Sequence, residues 1–182
     1  MASRPSFPGF PAEPRRALRG EARVSTATAR TIVAPYPGLG RRGLFEADLV
    51  RIESKDGQVL AERRNPRTAF RDFRHNLWWD PLDLLHFVGY ALWNYLNAPR
   101  RTCPPLTRAG LLFRRRGAAR RLDYTAEPFG SWATCANYAW QHQTFSGLVV
   151  PTRRKVLLRK SWGGPDPWPK LVWIKLDQVT LG

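Results

Sequence analysis

Residues 80–97 read DPLDLLHFVGYALWNYLN and carry the signals of one well-bounded helix. Asp80 is a candidate N-cap, Pro81 suits the first helical position, and Asp83 stands where a capping carboxylate belongs. The pattern therefore predicts a helix over residues 81–97, which ends before the next proline.

The polar side chains of this helix fall on one narrow stripe when successive residues are turned by about 100°. The stripe consists of Asp83, His86, Tyr90, Asn94 and Asn97. Because the remaining arc is apolar, we expect the helix to pack that arc against one face of a sheet and to turn the stripe to solvent.

Most of the remaining chain predicts β-structure. Residues 47–54 and 58–64 alternate on either side of Lys55-Asp56-Gly57, a hairpin signature, and residues 21–33 predict a first strand. Further strands are predicted over residues 111–115, 120–127, 136–141, 145–150, 152–160 and 171–181, with Pro151 as a break. Successive strands without intervening helices favour an antiparallel sheet, so the fold class is α+β. We expect a disordered Pro- and Arg-rich tail over residues 1–20 and one domain over residues 21–182.

The charge of the chain is strongly positive and unevenly distributed. The 182 residues carry a net charge of +16, and 43% of them are hydrophobic, with eight Trp. A disordered basic tail lacks such aromatics, so a folded core is expected. Residues 1–98 hold 15 basic and 10 acidic side chains, whereas residues 99–182 hold 15 basic and four acidic ones.

The cysteines and the N-terminus bear on localisation. Cys103 and Cys135 form no metal-binding or disulfide pattern, and unpaired thiols suit a reducing cytosol. Residues 1–10 show no apolar signal-peptide core, and no uncharged apolar run is long enough to span a membrane. The sequence therefore predicts a cytoplasmic protein without a transmembrane segment.

The motifs associated with catalysis and cofactors are weak. Residues 38–43 match G-x-G-x-x-G, but a proline-rich lead-in and a following strand favour a glycine-rich turn over a nucleotide site. His75, His86 and His142 lack metal-ligand spacing, so no metal and no cofactor is predicted. Asp83 and His86 are three residues apart and provide the weakest alternative, an enzyme with an oriented His–carboxylate pair. The sequence favours a non-enzymatic protein.

The leading functional hypothesis is a binding site for an apolar or aromatic small molecule between sheet and helix. Tyr and Trp side chains combine a large apolar surface with a polar group and commonly line ligand cavities. The candidate ligand-binding residues are Tyr90, Trp93, Tyr138, Trp140 and Trp173.

Nucleic-acid binding is the alternative hypothesis. Residues 100–121 contain eight Arg and no acidic residue, and Arg binds phosphate in a bidentate manner and stacks on aromatic rings. The candidate residues are Arg100, Arg101, Arg114, Arg115, Arg116, Arg120 and Arg121. The oligomeric state is left open.

Two longer motifs carry a resemblance to a known group of proteins. Residues 87–96 (FVGYALWNYL) and 145–156 (FSGLVVPTRRKV) resemble a family of uncharacterised bacterial proteins from actinobacteria and proteobacteria, which has no assigned activity. Residues 34–45, 121–127 and 172–179 fit the same pattern. The resemblance covers about residues 30–98 and 120–180.

The resemblance implies a curved antiparallel sheet packed on a helix, similar in outline to the half-barrels of lipoprotein carriers. It implies no catalytic residues. The chain departs from the family between residues 97 and 121, where family members are longer. This difference implies a deletion or frameshift in the gene that would leave the sheet incomplete.

Overall fold

The computed structural model describes residues 20–25, 27–71, 79–97, 111–115, 118–125 and 133–180. The α+β class, the antiparallel strands and the main helix are confirmed; in the described residues the strands form two sheets rather than one. The predicted tail over residues 1–20 lies outside the described residues, except for Gly20. Whereas the sequence predicts one domain over residues 21–182, the chain divides into two compact units, Met1–Thr102 and Cys103–Gly182.

The first unit contains a five-stranded antiparallel sheet in which each strand pairs with the next along the chain. Its strands are β1 (Glu21–Val24), β2 (Arg30–Ala34), β3 (Arg41–Glu46), β4 (Leu49–Ser54) and β5 (Val59–Arg64). A short 3-10 helix (Pro66–Arg71) and the α-helix α1 (Pro81–Asn97) follow. Because α1 contacts all five strands, this is the curved, half-barrel-like sheet that the sequence predicts.

The predicted hairpin about Asp56-Gly57 is confirmed as β4 and β5, with Gly57 at a φ of 84°. The prediction of a single strand over residues 21–33 is wrong, since β1 and β2 are separate and pair with each other. The Ser25 hydroxyl accepts hydrogen bonds from the backbone N–H groups of Ala27 and Thr28, so the chain turns back at this point. Strand β3 begins at Arg41, inside the glycine-rich turn predicted over residues 38–43.

The prediction that the polar stripe of α1 faces solvent is only partly right. Tyr90 is exposed, but Asp83, His86 and Asn97 are buried. Leu84, predicted to be apolar and packed, is 38% exposed. Asp83 and Asn97 find hydrogen-bond partners inside the unit: the Asn97 amide, for example, donates to the carbonyl oxygens of Ser25 and Trp93. Hydrogen bonding to backbone and side chains allows polar residues to occupy the face that packs on the sheet.

The helix packs closely on the sheet through Gly89. The Phe45 side chain occupies the space that a Cβ atom at position 89 would need. The Thr31 hydroxyl donates a hydrogen bond to the Gly89 carbonyl oxygen at 3.0 Å. Around this contact lies the core of the unit, which comprises Tyr36, Phe45, Val50, Ile52, Leu82, Leu85 and Trp93.

The second unit contains another five-stranded antiparallel meander. Its strands are β6 (Leu111–Arg115), β7 (Ala118–Thr125), β8 (Thr134–Phe145), β9 (Leu148–Arg159) and β10 (Pro165–Lys175). The prediction that Pro151 breaks a strand is wrong: Pro151 lies within β9, opposite His142. It lies next to an irregularity of β8, where Gln141 has a φ of 52°, and the turn is made instead by Ser146-Gly147.

We expect Gly89→Ala to destabilise the first unit by about 1–3 kcal/mol, because the added methyl group would overlap with Phe45. Helix propensity alone would predict the opposite change in stability, because it favours Ala over Gly by about 1 kcal/mol. Urea unfolding followed by circular dichroism measures the change. Leu84→Ala, on the exposed side of the same helix, is the control, and equal stability of the Gly89→Ala and wild-type proteins would contradict the packing argument.

Candidate functional site

Four side chains form a row across the second sheet, one from each of four neighbouring strands. Arg121 of β7 lies opposite Tyr138 of β8, Tyr138 opposite Lys155 of β9, and Lys155 opposite Trp173 of β10. Directly opposed residues place their side chains on the same face, within reach of each other. The row therefore alternates cation, ring, cation and ring.

The contacts within this row follow the same alternation. The Arg121 guanidinium carbon lies 5.4 Å from the centroid of the Tyr138 ring. The Lys155 ammonium nitrogen lies 5.8 Å from the centroid of the Trp173 ring. Both distances are within the range of cation–π attraction, so the rings and cations orient one another.

A second row lies two residues further along the strands, on the same face. Trp140 lies opposite Arg153, and Arg153 opposite Lys175. The two rows meet at Trp140 and Trp173, whose ring centroids are 6.5 Å apart with an interplanar angle of 82°. We call the two rows together the aromatic–basic face; it consists of Arg121, Tyr138, Trp140, Arg153, Lys155, Trp173 and Lys175.

The aromatic–basic face is the more open side of the sheet at its centre. Trp173 is 55% exposed, and Tyr138 and Trp140 are partly exposed. On the opposite side of β8 and β9, Cys135, Asn137 and Val156 are buried. On the same side as Tyr138 and Lys155, the next opposed pair, Ala136 and Leu157, is also buried. The surface left for a partner is therefore limited to the residues of the aromatic–basic face.

The Arg121 guanidinium is held firmly within the face. It donates two hydrogen bonds to the buried Asp123 carboxylate, at 2.6 and 2.8 Å, and one to the Gly163 carbonyl oxygen at 2.9 Å. The hydrogen bond to Asp123 raises the pKa of Arg121. Arg159 also pairs with Asp123, at 3.3 Å. Arg121 therefore supports Tyr138 rather than offering its full set of donors to a ligand.

The cations of the second row are less constrained. Arg153 donates from one nitrogen to the carbonyl oxygens of Thr152 and Leu176. Lys175 pairs with Asp177 at 2.9 Å in an exposed ion pair, which contributes little free energy in water. Together with Lys155, these residues can neutralise anionic groups lying on the rings.

The outer face of the first sheet shows a different electrostatic arrangement. Arg42 pairs with Glu53 at 2.6 Å and Arg51 with Glu62 at 2.7 Å, across neighbouring strands. Cations paired with acids in this way leave little excess charge. The concentration of basic residues after residue 98 thus coincides with the unit in which cations contact aromatic rings as well as carboxylates.

The five predicted ligand-binding residues are divided between the two units. Tyr90 and Trp93 are on α1, with ring centroids 6.3 Å apart; Trp93 belongs to the core, whereas Tyr90 is 39% exposed. Tyr138, Trp140 and Trp173 all belong to the aromatic–basic face.

The predicted nucleic-acid residues are also dispersed. Arg121 is on the aromatic–basic face, and the exposed Arg120, its neighbour along the strand, alternates to the other side. Arg114 and Arg115 are residues of β6, of which only the backbone is described. Arg100, Arg101 and Arg116 lie outside the described residues.

Residues 151–155 of the sequence suggest a basic nucleic-acid motif, but a solvated sheet face is the favoured explanation, so Arg153 and Lys155 are not among the predicted site residues. Lys175 is missed altogether. The run Arg153-Arg154-Lys155 predicts two basic side chains on one face of a strand and one on the other. The register of β9 against β8 and β10 brings Arg153 and Lys155 beside the aromatic rings of Trp140 and Trp173. The buried Arg154 alternates to the covered face.

The Asp83 carboxylate forms part of a helix cap. It accepts hydrogen bonds from the Arg63 guanidinium and from the Asp80 backbone N–H, and Asp80 in turn accepts one from the Asp83 backbone N–H. The Tyr36 hydroxyl donates to the Pro81 carbonyl oxygen at 2.6 Å. These contacts satisfy the first turn of α1, so the role of Asp83 that the geometry displays is structural.

His86, the other half of the weakest alternative, lies among aromatic rings. Its ring centroid is 5.5 Å from that of Phe70 and 5.6 Å from that of Phe45. Within the described part of the chain, its Nδ1 atom has no hydrogen-bond partner. Burial and, to a smaller extent, the charge of Arg67 lower the pKa of His86 to about 4. Asp83 therefore does not accept a hydrogen bond from Nδ1 of His86, the contact by which a carboxylate would orient a histidine acting as a general base.

Within the described ranges, His, Cys, Asp and Glu form no group of three that could hold a metal ion. The same part of the chain has no helix of the length and apolarity needed to cross a membrane. Comparison of the chain with protein-family models, curated proteins and solved structures found no match. The resemblance to the bacterial family stays a prediction.

Stability should depend on pH through His86. Its pKa is about 4 in the folded chain, against about 6.5 when unfolded, so the unfolded chain binds more protons between these values. Stability is thus retained above pH 6.5 and falls as the pH is lowered toward 4, by on the order of 3 kcal/mol.

His86→Phe keeps a ring in place but cannot titrate, and it serves as the comparison. Urea unfolding at several pH values should show that the wild-type protein loses more stability between pH 7 and pH 4 than the variant. Parallel losses in the two proteins would show that His86 is not the titrating group.

Proposed function

We propose that this protein binds single-stranded nucleic acid on the aromatic–basic face. The observation that carries the proposal is the row Arg121, Tyr138, Lys155 and Trp173, in which cations and rings alternate on the open side of one sheet. Sheets that bind single strands combine these two kinds of side chain.

The chemistry of the two groups matches the two parts of a nucleotide. An aromatic side chain stacks on a base with a gain of about 1–3 kcal/mol per base. Lysine and arginine neutralise phosphates and release condensed counterions. A duplex hides the faces of its bases inside the stack, so exposed Trp rings favour an unpaired strand. The net charge of +16 would attract any polyanion to this surface.

The Arg-rich segment over residues 100–121 remains a candidate for additional phosphate contacts. Its Arg121 supports Tyr138 on the proposed site, and its other arginines would add to the positive field. The proposal therefore takes up the alternative hypothesis of nucleic-acid binding and moves the main contacts to β8, β9 and β10.

An apolar or aromatic small molecule is the second candidate ligand. Support comes from the edge-to-face pair Trp140 and Trp173, which offers apolar surface to any flat ring. The two candidates differ in their salt dependence: a neutral ligand releases no counterions, so its affinity changes little with salt, whereas a polyanion dissociates as salt rises. A cytoplasmic location, where nucleic acid is accessible, belongs to the same proposal.

The salt dependence provides the first test. Fluorescence anisotropy with a labelled oligothymidylate should give an association constant that falls as sodium chloride is raised. Lys155→Gln should reduce the slope of log K against log salt by about 0.7, the value for one phosphate contact to a single strand. Lys55→Gln, an exposed lysine in the turn between β4 and β5, should leave the slope unchanged. A slope near zero in the wild-type protein would refute the proposal.

Stacking provides the second test. Trp173→Leu should weaken oligothymidylate binding by about 1–3 kcal/mol, the contribution of one stacked base. Tyr90→Leu, at an exposed aromatic residue of the first unit, should bind as the wild-type protein does. If Tyr90→Leu were the variant that loses binding, the site would lie on the helix instead. Circular dichroism of both variants checks that they fold.

A further inference from the structure

The relative orientation of Trp140 and Trp173 restricts the kind of strand that the aromatic–basic face can hold. Their rings are almost perpendicular, with an interplanar angle of 82°, and their centroids are 6.5 Å apart. A base that stacks on a ring lies parallel to it. Two bases that occupy both rings would therefore be almost perpendicular to each other.

Neighbouring bases in such a complex cannot stay stacked on one another. In a free single strand, adjacent adenines stack strongly, whereas thymines and uracils stack weakly. Taking a base out of a stack costs up to a few kcal/mol, so a strand that is already unstacked binds with less loss. Stacking strength and backbone flexibility are the usual sources of base preference in such proteins.

Hydrogen bonding offers little to oppose this effect. The seven residues of the aromatic–basic face include no Asn or Gln, the side chains that read adenine by paired hydrogen bonds. Lys155 and Lys175 act as point charges, and Arg121 is occupied by Asp123. Discrimination between adenine and the pyrimidines is thus left mainly to the cost of unstacking.

We infer that the aromatic–basic face selects runs of pyrimidines, thymidine or uridine, over runs of adenine. The inference rests on the proposed function and adds the substrate class to it. It also explains how a surface without adenine-reading side chains can discriminate against adenine: Trp140 and Trp173 require a sharp change of direction between two bases, and only a weakly stacked strand makes that change easily.

The test compares labelled oligothymidylate and oligoadenylate of about twelve nucleotides, a length within the range that single-strand sites cover. At equal salt, oligothymidylate should bind about tenfold more tightly, the ratio that corresponds to an unstacking cost of about 1.4 kcal/mol. Equal affinities, or tighter binding of oligoadenylate, would overturn the pyrimidine preference while leaving single-strand binding intact. Binding of neither strand would overturn the proposed function itself.

Two Trp variants test whether the preference for thymidylate over adenylate comes from the cost of unstacking. With Trp140→Leu only one of the two perpendicular rings remains, so no change of direction is imposed between the two bases. Both affinities should fall, and the thymidylate-to-adenylate ratio should move toward one. Trp173→Leu tests the same point independently, and Tyr90→Leu should keep the wild-type ratio. A ratio that stays at its wild-type value in both Trp variants would contradict the inference.

Discussion

The register of β8 against β9 is the constraint on which the proposed site depends. Tyr138 opposite Lys155 and Trp140 opposite Arg153 bring rings and cations to one face, while Cys135, Asn137 and Val156 fall on the covered face. A slip of one residue would exchange the two faces of a strand, burying the charges and exposing the apolar side chains. The cost of burying Arg153 and Lys155 favours the observed register.

A different constraint organises the first unit. The helix approaches its curved sheet closely because Gly89 leaves room for Phe45, and Thr31 anchors the helix backbone at the same point. Arg63 joins β5 to the capped first turn of the helix through Asp83. These are the contacts of a packed structural unit. The exposed combination of cations and rings occurs in the other unit, so the two halves of the chain have different tasks in the proposed function.

Local signals predicted those elements whose boundaries are set by the chain itself. Asp56-Gly57 predicts the hairpin because both residues tolerate the turn, and the capping residues of α1 predict its start. Side-chain polarity gave a wrong prediction of solvent exposure where tertiary contacts supply hydrogen-bond partners. Asn97 can be buried because its amide donates hydrogen bonds to backbone carbonyl groups. Pro151 lies within β9 next to an irregularity of β8 at Gln141, and no property of Pro151 alone reveals this neighbour.

The sequence by itself determined the α+β class, the single main helix, the antiparallel strands and an excess of positive charge after residue 98. It also singled out Tyr138, Trp140 and Trp173 as candidate binding residues. Only the tertiary structure decided which cations accompany them, because Arg121, Lys155 and Trp173 are far apart in the chain and meet through strand pairing. Pairing register is a property of several strands together, whereas composition and periodicity are properties of one.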